Sequence, residues 1–277
     1  MTSSGFKIYQ LAKCGDYDGL KTAFSLSKIN YCNNDEGGNN LLFAAIDSRK
    51  NDVIYFLLNN IIDLDYKNKI GWTALHKVSC DGLWEIASKL LAKGANPNVR
   101  DNFGEYPIHL SVWNGHSKVV KLLLEYSAKP NATQNNGWTP IAYAASKGHV
   151  TIVKILKSKG ADINFQGKDG LTPLHFLTFS KSAMGVKILL DNGADPLIRN
   201  ERGLTALECA EERGAIDIIK AFSDFGISWE KPINECNHCR IGNASIRLPC
   251  YHNLCMACYH NRSSCNICST LLYNTSL

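Results

Sequence analysis

A mostly α-helical solenoid of about seven helix-turn-helix units, followed by a small α+β module, is the fold class this sequence predicts. Three observations predict it. One short phrase returns at a fixed interval through most of the chain, each return is followed by two short apolar stretches, and the residues after 235 concentrate cysteine.

The phrase is Gly71-Trp72-Thr73-Ala74-Leu75-His76. It recurs as Gly104-Glu105-Tyr106-Pro107-Ile108-His109, Gly137-Trp138-Thr139-Pro140-Ile141-Ala142, Gly170-Leu171-Thr172-Pro173-Leu174-His175 and Gly203-Leu204-Thr205-Ala206-Leu207-Glu208. The period of about 33 residues is the signature of a stacked repeat. Thr can cap a helix with its hydroxyl, and Pro is tolerated in a first turn, where its missing N–H would have no partner. A short helix therefore starts in each phrase. A Gly-His pair such as Gly115-His116 or Gly148-His149 separates it from a second apolar stretch such as Val119-Val120-Lys121-Leu122-Leu123-Leu124. Gly94, Gly160 and Gly193 close the second helices, where a left-handed residue is wanted.

These phrases and their period resemble ankyrin repeats, from about Gly5 to Ile227. A degenerate first unit runs through Asn33 and a second starts at Asp35. Four clear units start at Asn68, Asp101, Gln134 and Gly167, and a last at Asn200. Arg49-Lys50 and Lys181-Ser182 replace the Gly-His pair in two of them. The resemblance implies that His76, His109 and His175, which recur at the repeat period, bond neighbouring turns and do not bind metal. The repeats contain no HExxH, phosphate-binding glycine loop or nucleophile elbow, so no catalytic centre is expected in them.

The resemblance also implies a protein partner, met by the turn tips and the exposed side of the first helices. Ile70, Trp72, Phe103 and Trp138 lie beside the repeat glycines, and Trp113 and Phe179 end first helices. These six form the expected partner-binding stripe, because aromatic side chains dominate binding hot spots. For Trp72 and Trp138, packing flat on the neighbouring turn is the alternative.

A linker, residues 228–235, leads into Cys236-Asn237-His238-Cys239, Cys250-Tyr251-His252, Cys255-Met256-Ala257-Cys258 and Cys265-Asn266-Ile267-Cys268. Seven of the 11 cysteines lie in this stretch, while Cys14, Cys32, Cys80 and Cys209 sit alone. That division favours metal ligands in a reducing compartment over disulfides. Zinc takes four tetrahedral ligands from thiolates and imidazoles, and two ligands with two residues between them form a knuckle that gives both to one ion. Four ligand pairs predict two closed, structural zinc sites.

The ligand order, Cys, Cys, Cys, His and then four Cys, resembles the C3HC4 RING finger, here residues 236–269 with a tail at 270–277. The resemblance implies cross-bracing, with Cys236, Cys239, Cys255 and Cys258 around one zinc ion and Cys250, His252, Cys265 and Cys268 around the other. It further implies a RING-type ubiquitin ligase. The finger would recruit a ubiquitin-conjugating enzyme and the repeats would hold the protein target, so that proximity and orientation supply the whole mechanism. Leu248, Pro249 and Ile267 keep part of the apolar docking face. His238, Asn266 and Ser269 stand where active fingers usually carry an apolar residue, a proline and often an arginine. A non-catalytic adaptor, whose finger only folds, dimerises or pairs with another finger, is therefore the alternative. Leu271, Leu272 and Tyr273 resemble the short tail with which RING fingers of the inhibitor-of-apoptosis type pair into homodimers, and a frayed tail is the alternative there.

The 277 residues are 45% hydrophobic and 20% charged, the range of an ordinary folded chain. The net charge of +5 comes from Lys and Arg scattered among Asp and Glu, which points to neither nucleic acid nor a membrane surface as partner. The first residues lack the basic start and apolar run of a secretory signal, and no stretch reaches the roughly 18 apolar residues that span a bilayer. The expected location is the cytoplasm, with the nucleus left open.

Overall fold

The repeat phrase builds the same helix start again and again. In the computed structural model, which describes residues 3–26, 35–60, 63–227, 246–247 and 253–254, an extended Thr73, Thr139, Thr172 or Thr205 stands immediately before a first helix. Thr73 Oγ1 accepts the backbone N–H of His76 at 3.4 Å, and Thr205 Oγ1 accepts that of Glu208 at 3.2 Å. Pro107, Pro140 and Pro173 occupy the first turn, as their missing N–H allows.

The described residues form 14 α-helices in seven consecutive pairs. They are α1 (Ser3–Cys14) with α2 (Tyr17–Leu26), α3 (Leu41–Ser48) with α4 (Asn51–Asn60), α5 (Ala74–Asp81) with α6 (Trp84–Ala92), and α7 (Pro107–Trp113) with α8 (Ser117–Glu125). Then follow α9 (Pro140–Ser146) with α10 (Val150–Ser158), α11 (Pro173–Phe179) with α12 (Ala183–Asp191), and α13 (Ala206–Glu212) with α14 (Ile216–Ser223). First helices pack on first helices of the next unit throughout, α1 on α3 through α11 on α13. Leu75, Ile108, Ile141, Leu174 and Leu207 hold one repeat position and are all buried, each contributing about 1.5–3 kcal/mol.

The histidines tie the turns together. Nδ1 of His76 accepts the Thr73 N–H at 3.1 Å, so the proton sits on Nε2, which donates to the carbonyl of Glu105 in the next unit at 3.2 Å. His109 reaches the Ala132 carbonyl at 3.1 Å and His175 the Leu204 carbonyl at 3.0 Å. All three imidazoles are fully buried. Burial drives His76 and His109 down to about 4 and lowers His175 as well.

The turn tips are bonded in the same way. The backbone N–H of Asn102 donates to the Ile70 carbonyl and that of Asn135 to the Phe103 carbonyl, both at 3.1 Å. Gly71 makes this approach work. Its φ is +85°, and a Cβ there would lie 2.7 Å from the Asn102 nitrogen, so only glycine fits. Where Gly-His is replaced, Arg49 and Lys181 themselves adopt the left-handed conformation, at φ 54° and 56°.

The chain divides into two compact units, Met1–Ile227 and Ser228–Leu277. In the second, β1 (Ile246–Arg247) pairs antiparallel with β2 (Asn253–Leu254), with Ile246 opposite Leu254 and Arg247 opposite Asn253. No helix of the described residues is long and apolar enough to cross a membrane.

Candidate protein-binding surface

Tyr143, in the first turn of α9, organises the aromatic surface. The Trp138 ring stacks on it at 5.1 Å and 24°, the Trp113 ring meets it edge-on at 5.3 Å and 90°, and His109 approaches at 5.8 Å. Its hydroxyl accepts from Gln134 Nε2 at 3.3 Å and donates to Glu105 Oε1 at 3.2 Å. Burial, followed by the charge of Glu105, pushes the phenol up to about 12. The carboxyl of Glu105 is raised from its ordinary range, first by burial and then by the charge of Asp101.

Of the six residues expected to meet a partner, Phe103 is the most exposed, at 62%, and Ile70 and Trp113 are exposed as well. Trp72 and Trp138 are half-buried. Trp72 stacks on His76 and donates its indole N–H to Asp101 at 3.0 Å, while Trp138 lies between Tyr143 and Phe176. Trp113 and Phe179 each carry a cation from the next unit on the ring: Lys147 Nζ is 3.5 Å from the Trp113 centroid, and the Arg213 guanidinium is 4.2 Å from that of Phe179. Trp113 and Trp138 therefore meet through Tyr143, with Phe103 on the same depression. Ile70 and Trp72 belong to the preceding turn, and Phe179 to the following unit.

The sequence reading passed over Tyr143, Glu105 and Lys147. A signal was present in the repeat alignment. The position after the phrase reads Lys77, Leu110, Tyr143, Phe176 and Cys209, changing chemistry from unit to unit while its neighbours repeat. The position after the glycine is Trp72, Trp138, Leu171 or Leu204 elsewhere, and only in the fourth unit is it an acid, Glu105.

The eight expected zinc ligands, Cys236, Cys239, Cys250, His252, Cys255, Cys258, Cys265 and Cys268, lie outside the described residues, as do His238, Asn266, Ile267, Ser269 and the 270–277 tail. Among the described residues, no group of three or more His, Cys, Asp or Glu side chains is placed to hold a metal ion.

The family model of ankyrin repeats (3 copies) matches residues 8–101, 78–167 and 159–232, most of the chain. The chain belongs to the ankyrin-repeat family. Ankyrin repeats are protein-interaction modules, which points to a protein partner for this chain. Curated relatives include an ankyrin repeat protein of variola virus, OPG189, 38% identical over 58 residues, which are 21% of this chain and 10% of that protein. BCL-6 corepressor-like protein 1 of Homo sapiens is 34% identical over 82 residues, 30% of this chain and 5% of that one. The E3 ubiquitin-protein ligase XBAT33 of Arabidopsis thaliana is 29% identical over 119 residues, 42% of this chain and 23% of that one. This ankyrin chain thus spans less than a quarter of the length of each of these relatives.

Proposed function

We propose that the chain is a RING-type ubiquitin ligase whose ankyrin stack holds a protein target while its C-terminal finger recruits a ubiquitin-conjugating enzyme. The observation that carries this reading is the order and spacing of Cys236, Cys239, Cys250, His252, Cys255, Cys258, Cys265 and Cys268 behind an ankyrin stack. The donor set fits zinc: seven thiolates and one imidazole in four pairs suit two closed tetrahedral sites. Similarity to a plant protein named as an E3 ubiquitin-protein ligase points the same way.

Zinc supplies structure in such a finger and leaves no open coordination position for substrate. The chemistry belongs to the conjugating enzyme and its bound ubiquitin. The chain contributes orientation, with Leu248, Pro249 and Ile267 as the apolar contacts for that enzyme and the ankyrin face as the contact for the target.

A second reading, a non-catalytic adaptor, is favoured by one specific observation: His238, Asn266 and Ser269 replace residue types that active fingers use. Reconstitution with ATP, activating enzyme and a panel of conjugating enzymes decides between the two. Ubiquitin chains that require the full-length protein support the ligase, and their absence with every conjugating enzyme supports the adaptor.

A further inference from the structure

One depression on the ankyrin face concentrates the departures from the repeat pattern. It has a volume of about 420 Å³ and is lined by Phe103, Glu105, Gln134, Asn135, Asn136 and Tyr143. A volume of that order is within the range of clefts that take ligands. Glu105 stands where four other units place Trp or Leu, and Tyr143 stands where others place Lys, Leu, Phe or Cys.

The electrostatics are one-sided. The Glu105 carboxylate is partly buried near that of Asp101, and among the described residues it accepts a hydrogen bond from the Tyr143 hydroxyl at 3.2 Å. Asp101 accepts the Trp72 indole N–H and the backbone N–H groups of Phe103 and Glu105. No ion pair joins either acid to a Lys or Arg of the described residues. Arg100 reaches the edge of the depression, where it donates to Asn135 Oδ1 at 3.0 Å with its guanidinium 5.8 Å from the Tyr106 ring centroid, and it forms no ion pair with Glu105 or Asp101. A partly desolvated carboxylate without a counter-charge destabilises the fold, which makes it a candidate for binding. Phe103, exposed, and Tyr143, buried, both line the depression and add two aromatic surfaces.

We infer that this depression is a socket for one arginine or lysine side chain of the protein partner, with Glu105 taking the charge and Phe103 and Tyr143 flanking the stem or planar head. The inference deepens the target-holding half of the proposed function and rests on it, but is independent of the ligase half. Charge complementarity identifies the occupant. A basic side chain restores the missing counter-charge and gains contact with the rings, whereas the phosphates of nucleic acid or lipid would be repelled by Glu105 and Asp101.

The test uses immobilised full-length chain and four nonapeptide pools, randomised except for a central arginine, lysine, citrulline or glutamate. The arginine or lysine pool should be retained about tenfold more than the citrulline and glutamate pools. Glu105→Gln, which keeps an acceptor for the Tyr143 hydroxyl, should bring the basic pools down to the level of citrulline. Phe103→Ala, at an exposed position, gives a second variant with little risk to folding and should lower retention in the same way. Equal retention of all four pools, or undiminished retention by both folded variants, overturns the inference. Ubiquitin chain assembly is read separately on the same samples, so a lost ligase activity is not mistaken for an empty socket.

Discussion

Lys147 places its ammonium 3.5 Å from the centre of the Trp113 ring, reaching back from one repeat to the one before it. The relationship recurs at the same separation of 34 residues. Arg213 lies 4.2 Å from the Phe179 ring, Lys89 4.7 Å from Tyr55 and Lys118 5.8 Å from Trp84. Each pair links an aromatic side chain of one unit to a cation of the next, so the stack is held by a charged ladder outside as well as by its apolar core. In a solenoid, where every unit depends on its neighbours, such contacts add to the interface terms. Lys147→Ala should lower stability by about 0.5–1 kcal/mol, the usual worth of an exposed cation–π contact. A double-mutant cycle with Trp113→Leu in urea denaturation checks it, and additive losses would show that the pair does not couple.

Ser127 falls at the repeat position held elsewhere by Gly94, Gly160 and Gly193, and like them it has a positive φ, 64°. A Cβ at those three glycines would meet nothing within 4 Å, so the strain at Ser127 lies in its backbone and not in crowding. Ser127→Gly relieves a left-handed penalty of roughly 1–2 kcal/mol and gives back part of it through the greater freedom of the unfolded chain. The expected net gain is about 1 kcal/mol, a rise in Tm of about 2–4 °C for a domain of this size. Thermal denaturation followed by circular dichroism measures it directly.

His76 and His109 make stability depend on pH. In the unfolded chain an imidazole takes up its proton near pH 6.5, but in the fold burial delays this until about 4. Between those values the unfolded state binds more protons, so stability is fully present above about 6.5 and is lost as pH falls toward 4. Each histidine should contribute roughly 1 kcal/mol of loss per pH unit in that window. Urea midpoints measured from pH 7 to pH 4.5 should show the slope, and His109→Gln should remove one histidine's share of it.

Phe103 and Trp72 differ in what packs around them. Phe103 is 62% exposed, so Phe103→Ala should change stability by less than about 0.5 kcal/mol. The Trp72 indole stacks on His76 and donates to Asp101, so Trp72→Phe should cost about 1 kcal/mol by removing that hydrogen bond. Comparison of the two melts settles which residues of the aromatic stripe hold the fold.

The proposed finger carries its own prediction. Metal analysis of the full chain should find two zinc ions, and a chelator should remove them with little loss of helical circular dichroism, because metal binding is the folding energy of so small a finger. A helical signal that collapses with the metal would contradict separate units.

The repeats were legible because a period of about 33 residues shows each position several times over. His76, His109 and His175 could be assigned a turn-bonding role from the ankyrin resemblance that this recurrence carries, and they take it. The contacts of Tyr143 were not legible in that way. Trp113, Trp138 and Glu105 converge on it from three different repeat positions, and a repeat alignment compares equivalent positions instead of touching ones. The partners of Trp113 and Phe179 were hidden for a related reason. Lys147 and Arg213 read as ordinary surface charge until the stacking distance between units is known. Arg49 and Lys181 were visible as replacements for the inter-helix glycine, and their left-handed conformation follows from the turn they must close.

The most direct measurement of the ligase reading is single-turnover release of ubiquitin from a charged conjugating enzyme to free lysine, in the presence of the full-length chain. Binding in a productive orientation should accelerate release several-fold over the conjugating enzyme alone with at least one member of a panel, and Ile267→Ala should abolish the acceleration. Release that proceeds at the unassisted rate with every member, in a sample that retains its two zinc ions, would contradict the account.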